Sequence, residues 1–392
     1  MKTKRHTVKE NPVSGWVRSA LYGIAALGIA AACITEASAQ QWDYFSRMRS
    51  IAPRGYVCYR AAKPVVIDGK LDDEAWIYIP YTDYFVDIEG DTKPRPRFRT
   101  QVKMAWDDTY FYVAAEIEET HVWGWLTEHD AIIYEDNDFE IFIDPDGDNH
   151  EYFEMEINAL NTVWDLFLKR PYKDFSPGMT VDHGWGLPGL KTAVDVQGTL
   201  NDPSDNDSGW SVEFALPWTA FSEYAHTPLP PKDGDRWRVN FSRVEYLPEL
   251  VIENNARKTS TLDVVKHRGQ RTDNWVWSPQ GVINMHCPEK WGYVQFSTDR
   301  PGTVAFIPEP TEPARMTLHE IYYAQRDYKT RHGRWASSLD ELGLCLTLHE
   351  SFSQSPVIRP EKDGYRASVT VKLTDGSRKT VSIDQFSKIT VE

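Results

Sequence analysis

Tyr134-Glu135-Asp136-Asn137-Asp138-Phe139-Glu140-Ile141-Phe142-Ile143-Asp144, a tight turn, and then Glu151-Tyr152-Phe153-Glu154-Met155-Glu156-Ile157-Asn158 decide the fold. Phe139, Ile141 and Ile143 alternate with Glu140, Phe142 and Asp144, and Phe153, Met155 and Ile157 with Glu154, Glu156 and Asn158. A period of two sends neighbours to opposite faces of a strand, so the stretch reads as one β-hairpin with an apolar face that buries. The other face carries Glu140, Glu154, Glu156 and Asn158, hydrogen-bonding groups that folding does not require and that are expected on an exposed sheet surface.

Outward from the hairpin the same punctuation recurs. Tyr56 to Arg60, Phe98 to Trp106, Tyr110 to Ala115, Thr162 to Leu168, Leu190 to Val196, Trp210 to Leu216, Trp237 to Val244 and Gly292 to Phe296 read as short strands between Gly, Pro, Asn and Asp clusters. Asp68-Gly69 marks a turn, and Leu71 to Trp76 a single helical turn. Many short strands with almost no helical period predict an all-β fold, an antiparallel, jelly-roll-like β-sandwich over 56–297. Residues 298–314, with Pro301, Pro308, Pro310 and Pro313, read as a linker. Beyond it Leu318, Ile321, Tyr322, Gln325 and Tyr328 take helical spacing and Ala367 to Leu373 strand spacing, predicting a small α+β appendage over 315–392.

Composition narrows the function. The formal charge of −15 argues against nucleic acid, whose phosphates need a basic patch. An aromatic content of 13% suits both a sandwich core and stacking on sugars. Basic residues up to Arg18, the apolar run Ala20 to Ile34 and Ala37-Ser38-Ala39 read as a signal peptide over 1–39, predicting export, with 40–55 an irregular lead. Cys33 carries a weak lipidation signal. Of Cys58, Cys287 and Cys345 at most one pair can bridge, and Cys58 with Cys287 is the pairing expected, since both lie within the predicted large domain.

Several motifs fail on inspection. Gly184-Trp185-Gly186-Leu187-Pro188-Gly189 fits a dinucleotide fingerprint, but Pro188 and the strand-like run after it deny the helix a pyrophosphate needs. His150-Glu151-Tyr152-Phe153-Glu154 lacks the second His of a zinc protease and alternates as a strand. Asp144, Asp146 and Asp148 open like a calcium loop, although Gly147 and Met155 fall at the wrong positions for an EF-hand. The turn is therefore either a polar hairpin or a structural Ca²⁺ site helped by another loop such as 201–207. Glu140, Glu154 and Glu156 suggest either hydrogen bonding to sugar hydroxyls or a glycosidase carboxylate pair, and Trp123, Trp125 and Tyr134 either a stacking platform or core filling.

Four blocks in order resemble the family 9 carbohydrate-binding modules. They are Val66-Ile67-Asp68-Gly69-Lys70-Leu71-Asp72-Asp73-Glu74-Ala75-Trp76, Trp106-Asp107-Asp108-Thr109-Tyr110-Phe111-Tyr112-Val113, Asp138-Phe139-Glu140-Ile141-Phe142-Ile143-Asp144, and Trp277-Ser278 with Lys290-Trp291-Gly292. The resemblance implies a Ca²⁺-containing β-sandwich that accompanies glycoside hydrolases and clamps a sugar between two rings. Carried over by motif, the first ring is Tyr134, the acidic contact Glu140 and the amide contact Asn158. This chain departs at Glu156, where the family has Arg, and at Met285-His286, where it has a second aromatic. The expected pocket is Tyr134, Glu140, Glu156, Asn158 and His286, binding carbohydrate without catalysis. The alternatives are a hydrolase of O-glycosyl bonds using Glu140 and Glu156, and an envelope scaffold docking through the appendage.

Overall fold

The computed structural model describes residues 45–174, 181–246, 250–253, 256–259 and 272–392. The expected signal peptide and Cys33 lie outside the described residues. No helix among the described residues is long and apolar enough to cross a membrane.

One hydrogen-bonded path threads the larger unit. It runs Val181–Asp182, Val163–Leu168, Tyr152–Asn158, Asp138–Asp144, Arg236–Glu245, Gly292–Ser297, Gly55–Arg60, Thr100–Trp106, Tyr110–Glu118, Gly209–Pro217 and Lys191–Gln197. Asp273–Val276 pairs additionally with Arg236–Glu245 and carries Val86–Asp87. The path curls so that its halves meet face to face. Phe139 from the first half lies 6.1 Å, centroid to centroid, from Phe214 of the second. Between them Ile141, Ile143, Phe153, Met155 and Ile157 pack with Val102, Met104, Val113 and Val212 in the main core. The sandwich departs from a purely antiparallel pattern at one place: Gly55–Arg60 pairs in parallel with both Gly292–Ser297 and Thr100–Trp106, joining the two halves.

Both outer faces are covered as well. Over the second half, Trp76 from the predicted helical turn, a 3₁₀ turn at Glu74–Trp76, buries against Val57, Tyr59, Tyr112 and Ala114. Its indole donates to Glu213 at 2.8 Å, and the same carboxylate accepts the Asp68 and Gly69 amides. Over the hairpin, Ile133 and Trp291 pack on Phe142, Tyr152 and Leu166. The second hairpin face is therefore buried rather than solvated: Glu140, Glu154 and Glu156 are 4%, 5% and 2% exposed.

The Pro-rich stretch lies on the sandwich. Phe306 occupies the space above Gly55 where any side chain would stand, Ile307 donates to Gln295 at 3.0 Å, and Glu309 pairs with Arg236 at 2.9 Å. Helix Glu312–His332 follows, ended by Gly333 in the left-handed region. It packs on a four-stranded antiparallel sheet, Val357–Pro360, Tyr365–Lys372, Arg378–Asp384 and Ile389–Val391. Phe45, Met48, Val282 and Cys287 of the larger unit share this second core with Leu318, Ile321 and Val369. Cys58 and Cys287 consequently fall in different cores, and both are buried free thiols, which corrects the expected bridge.

Candidate functional site

The hairpin closes through its acidic turn. Asp144 accepts the Gly147 and Asn149 amides at 2.9 Å each, and Gly147 takes a φ of 66° that a side chain would strain. In the resulting register Glu140 stands opposite Glu156 and Phe142 opposite Glu154. The next strand sets Trp164 beside Glu156 and Leu166 beside Glu154. These residues floor an open cleft of about 950 Å³.

Its walls come from loops. Ile133–Glu135 forms a 3₁₀ turn whose Tyr134 amide donates to Glu156 at 2.9 Å, leaving the Tyr134 side chain 44% exposed at the mouth. Tyr134 lies 6.1 Å from Trp164, and Trp164 stacks on His183 at 6.0 Å. On another side Tyr172 meets His286 edge-on at 4.3 Å. His286 Nδ1 is 2.8 Å from the Tyr152 hydroxyl, and its Nε2 is 4.0 Å from Glu154. Of the expected residues, Tyr134, Glu140, Glu156 and His286 line this cleft; Asn158 does not. Its amide donates to Leu126 O at 2.8 Å and Asp136 at 2.9 Å, and its carbonyl accepts the Leu160 and Thr162 amides, so it ties the loop that carries the wall.

Trp123 and Trp125 pack edge-on against each other and are absent from the cleft lining. Trp164, Tyr172 and His183 take the aromatic places that the sequence reading gave to them. Trp164 was within reach of that reading, because a strand beginning at Thr162 antiparallel to the hairpin puts a residue opposite Glu156. Tyr172 and His183 arrive from a short 3₁₀ turn and a loop with no periodic signal.

The electrostatics follow from burial. Burial pushes Glu140 up to about 7, with the Ser242 hydroxyl drawing it back. Glu154 and Glu156 sit well above the usual carboxylate range, first by burial and then by repulsion from Glu140. Burial holds the His286 imidazole down to about 3, so it is neutral near pH 7. Oxygens of Asp138, Glu140 and Glu156 lie within 4.8 Å of one another.

The acidic turn was the expected metal site. Oxygens of Asp144, Asp146 and Asp148 lie within 4.8 Å of one another, and burial together with Asp148 pushes Asp146 up to about 6. This donor set, hard oxygens under mutual repulsion, fits a Ca²⁺-class cation. Asn201 and Asp207 bond Gly124 and Val122 instead of this turn. Lys388 of the appendage lies 2.9 Å from Asp148, and Arg315 of the long helix donates to Gly147 O at 2.6 Å.

Residues 67–230 match the family model described as carbohydrate family 9 binding domain-like. The chain is 27% identical over 160 residues to exoglucanase XynX of Acetivibrio thermocellus and likewise to endo-1,4-beta-xylanase A of Thermoanaerobacterium saccharolyticum. The match covers 40% of this chain but 12% and 11% of those enzymes. A family 9 carbohydrate-binding module from Caldicellulosiruptor kristjanssonii, solved with cellotriose, superposes with a TM-score of 0.37 at 16% identity, covering 65% of this chain and all of that one.

Proposed function

We propose that the chain, whose residues 67–230 match the family model described as carbohydrate family 9 binding domain-like, binds an oligo- or polysaccharide in the cleft above the 138–158 hairpin. It does so without catalysis, in support of glycoside hydrolases that degrade the same polymer. One observation carries this reading: an aromatic ring 44% exposed, Tyr134, lines the same cleft as buried carboxyl groups, a pairing suited to stacking on a sugar ring and bonding its hydroxyls.

A structural Ca²⁺ at Asp144, Asp146 and Asp148 is part of the proposal, supported by their shared reach and by their oxygen chemistry. It would fasten the hairpin turn beside Lys388. Export is supported by the basic leader, the apolar run and Ala37-Ser38-Ala39. The partners that fit are the glycan itself and envelope or secreted hydrolases.

Calorimetric titration with cello-, xylo- and pectin oligosaccharides tests the reading. Tyr134→Ala should weaken binding by about tenfold, ~1.4 kcal/mol. Unchanged affinity in that variant would refute the site.

A further inference from the structure

Four buried carboxyl groups crowd one face of the hairpin beneath the cleft. Glu140 and Glu156 are directly opposite across the hairpin, Glu154 shares their face, and Asp138 precedes Glu140 by two residues. All four are buried. Like charges directly opposed in a sheet are destabilising, and a buried charge without a partner is costly.

Among the described residues few groups offset this, the Ser242 hydroxyl beside Glu140 being one. The Tyr134 amide donates to Glu156 and the Val244 amide to Asp138, both at 2.9 Å. Asp138 Oδ2, Glu140 Oε2 and Glu154 Oε2 are buried with no hydrogen-bond partner. Among the described residues lining the cleft none is Lys or Arg. Arg243, the guanidinium that acts on Asp138, donates to Glu119 at 3.3 Å and Glu245 at 2.7 Å.

Three of these carboxyls converge. Asp138, Glu140 and Glu156 each offer an oxygen, all within 4.8 Å of one another. An all-oxygen donor set of this kind suits a hard cation of the calcium class, which takes oxygens at about 2.3–2.6 Å in flexible geometry. We propose that the cleft-lining Glu140 and Glu156, together with Asp138 buried beside them, bind a divalent cation of the calcium class, distinct from the Asp144–Asp148 turn. The ion keeps positions open toward the cleft, where paired hydroxyls of a glycan complete its shell. That second role rests on the carbohydrate reading; the cation site itself does not.

The test uses the full chain, stripped with chelator and titrated with CaCl₂. Glu140→Gln combined with Glu156→Gln should remove one calcium equivalent that Asp146→Asn leaves in place. Wild-type stoichiometry in the double variant, or no calcium uptake by the wild type, overturns the site. Should circular dichroism show the double variant unfolded, Asp138→Asn is titrated in its place against the same criterion. Xylo- and cello-oligosaccharides are then titrated with and without chelator. Loss of glycan affinity by about tenfold or more in chelator and in the double variant, but not in Asp146→Asn, supports the anchoring role. Glycan affinity indifferent to chelator overturns it. Calcium binding with no glycan bound under any condition leaves the cation site standing and removes the carbohydrate reading.

Discussion

Asn158 and Glu156 sit two residues apart on one strand and do different work. Asn158 spends its whole amide on the backbone and side chains of the loop that carries the cleft wall. Asn158→Ala strands buried donors and acceptors at about 1–3 kcal/mol each, so it should lower the unfolding midpoint in urea markedly while folded protein keeps its glycan affinity. An unaltered midpoint with lost affinity would return Asn158 to the binding face. Glu156 faces the cleft, where the resembled modules have Arg. The sequence made both residues candidates because alternation puts them on one side of a strand; it is silent on which of them a covering loop claims. Tyr134 was legible because it precedes the hairpin directly. Tyr172 and His183 were not, since their positions depend on how distant loops close over the sheet.

The elements show a similar division. Alternation marked the hairpin and the strand ending at Trp106, and turn punctuation marked the other long strands of the sandwich. Alternation missed Val86–Asp87, Val181–Asp182, Val357–Pro360 and Ile389–Val391, which are too short to display a period. The parallel pairing of Gly55–Arg60 was illegible for another reason, since alternation carries no direction. The long helix was read from its apolar spacing, but its contact with the sandwich was not. There Tyr323 donates to Glu289 at 2.6 Å, Arg326 pairs with Asp174 at 2.7 Å, and Lys173 closes on Glu289 at 2.6 Å. His319 is the sensitive point. It accepts from Asn149 at Nε2, 3.0 Å away, if Nδ1 donates to Arg315 O at 2.8 Å, a tautomer that protonation destroys. Burial pushes this imidazole down to about 4, opposed by Glu289 and assisted by Lys173 and Arg238. A histidine depressed in the folded state contributes stability above its unfolded pKa of about 6.5 and loses it as pH falls toward 4. Lowering pH from about 7 to about 5 should therefore cost the wild type on the order of 1–2 kcal/mol that His319→Gln does not lose, read as the difference in their melting shifts. Equal shifts in the two proteins would contradict this.

Over the whole molecule, the appendage and sandwich share a core, because Phe45, Met48, Val282 and Cys287 pack with the long helix and its sheet. Such shared burial predicts one cooperative calorimetric transition for the full chain, and exposed apolar surface with a lowered melting temperature when residues 310–392 are removed. Two separate transitions would mean that the units fold independently. The all-β class and the α+β appendage were legible from strand spacing and the change of period after Pro313. The burial of both hairpin faces was not, because it is made by segments far apart in sequence, 131–135 and 285–291. That burial turns a polar strand face into a cleft. The most direct measurement is calorimetric titration of the full chain with cello- and xylo-oligosaccharides in calcium, wild type against Tyr134→Ala. Saturable binding by the wild type that falls by about tenfold in the variant is the predicted result. Equal affinity in the two proteins, or no binding by the wild type to any glycan, would contradict it.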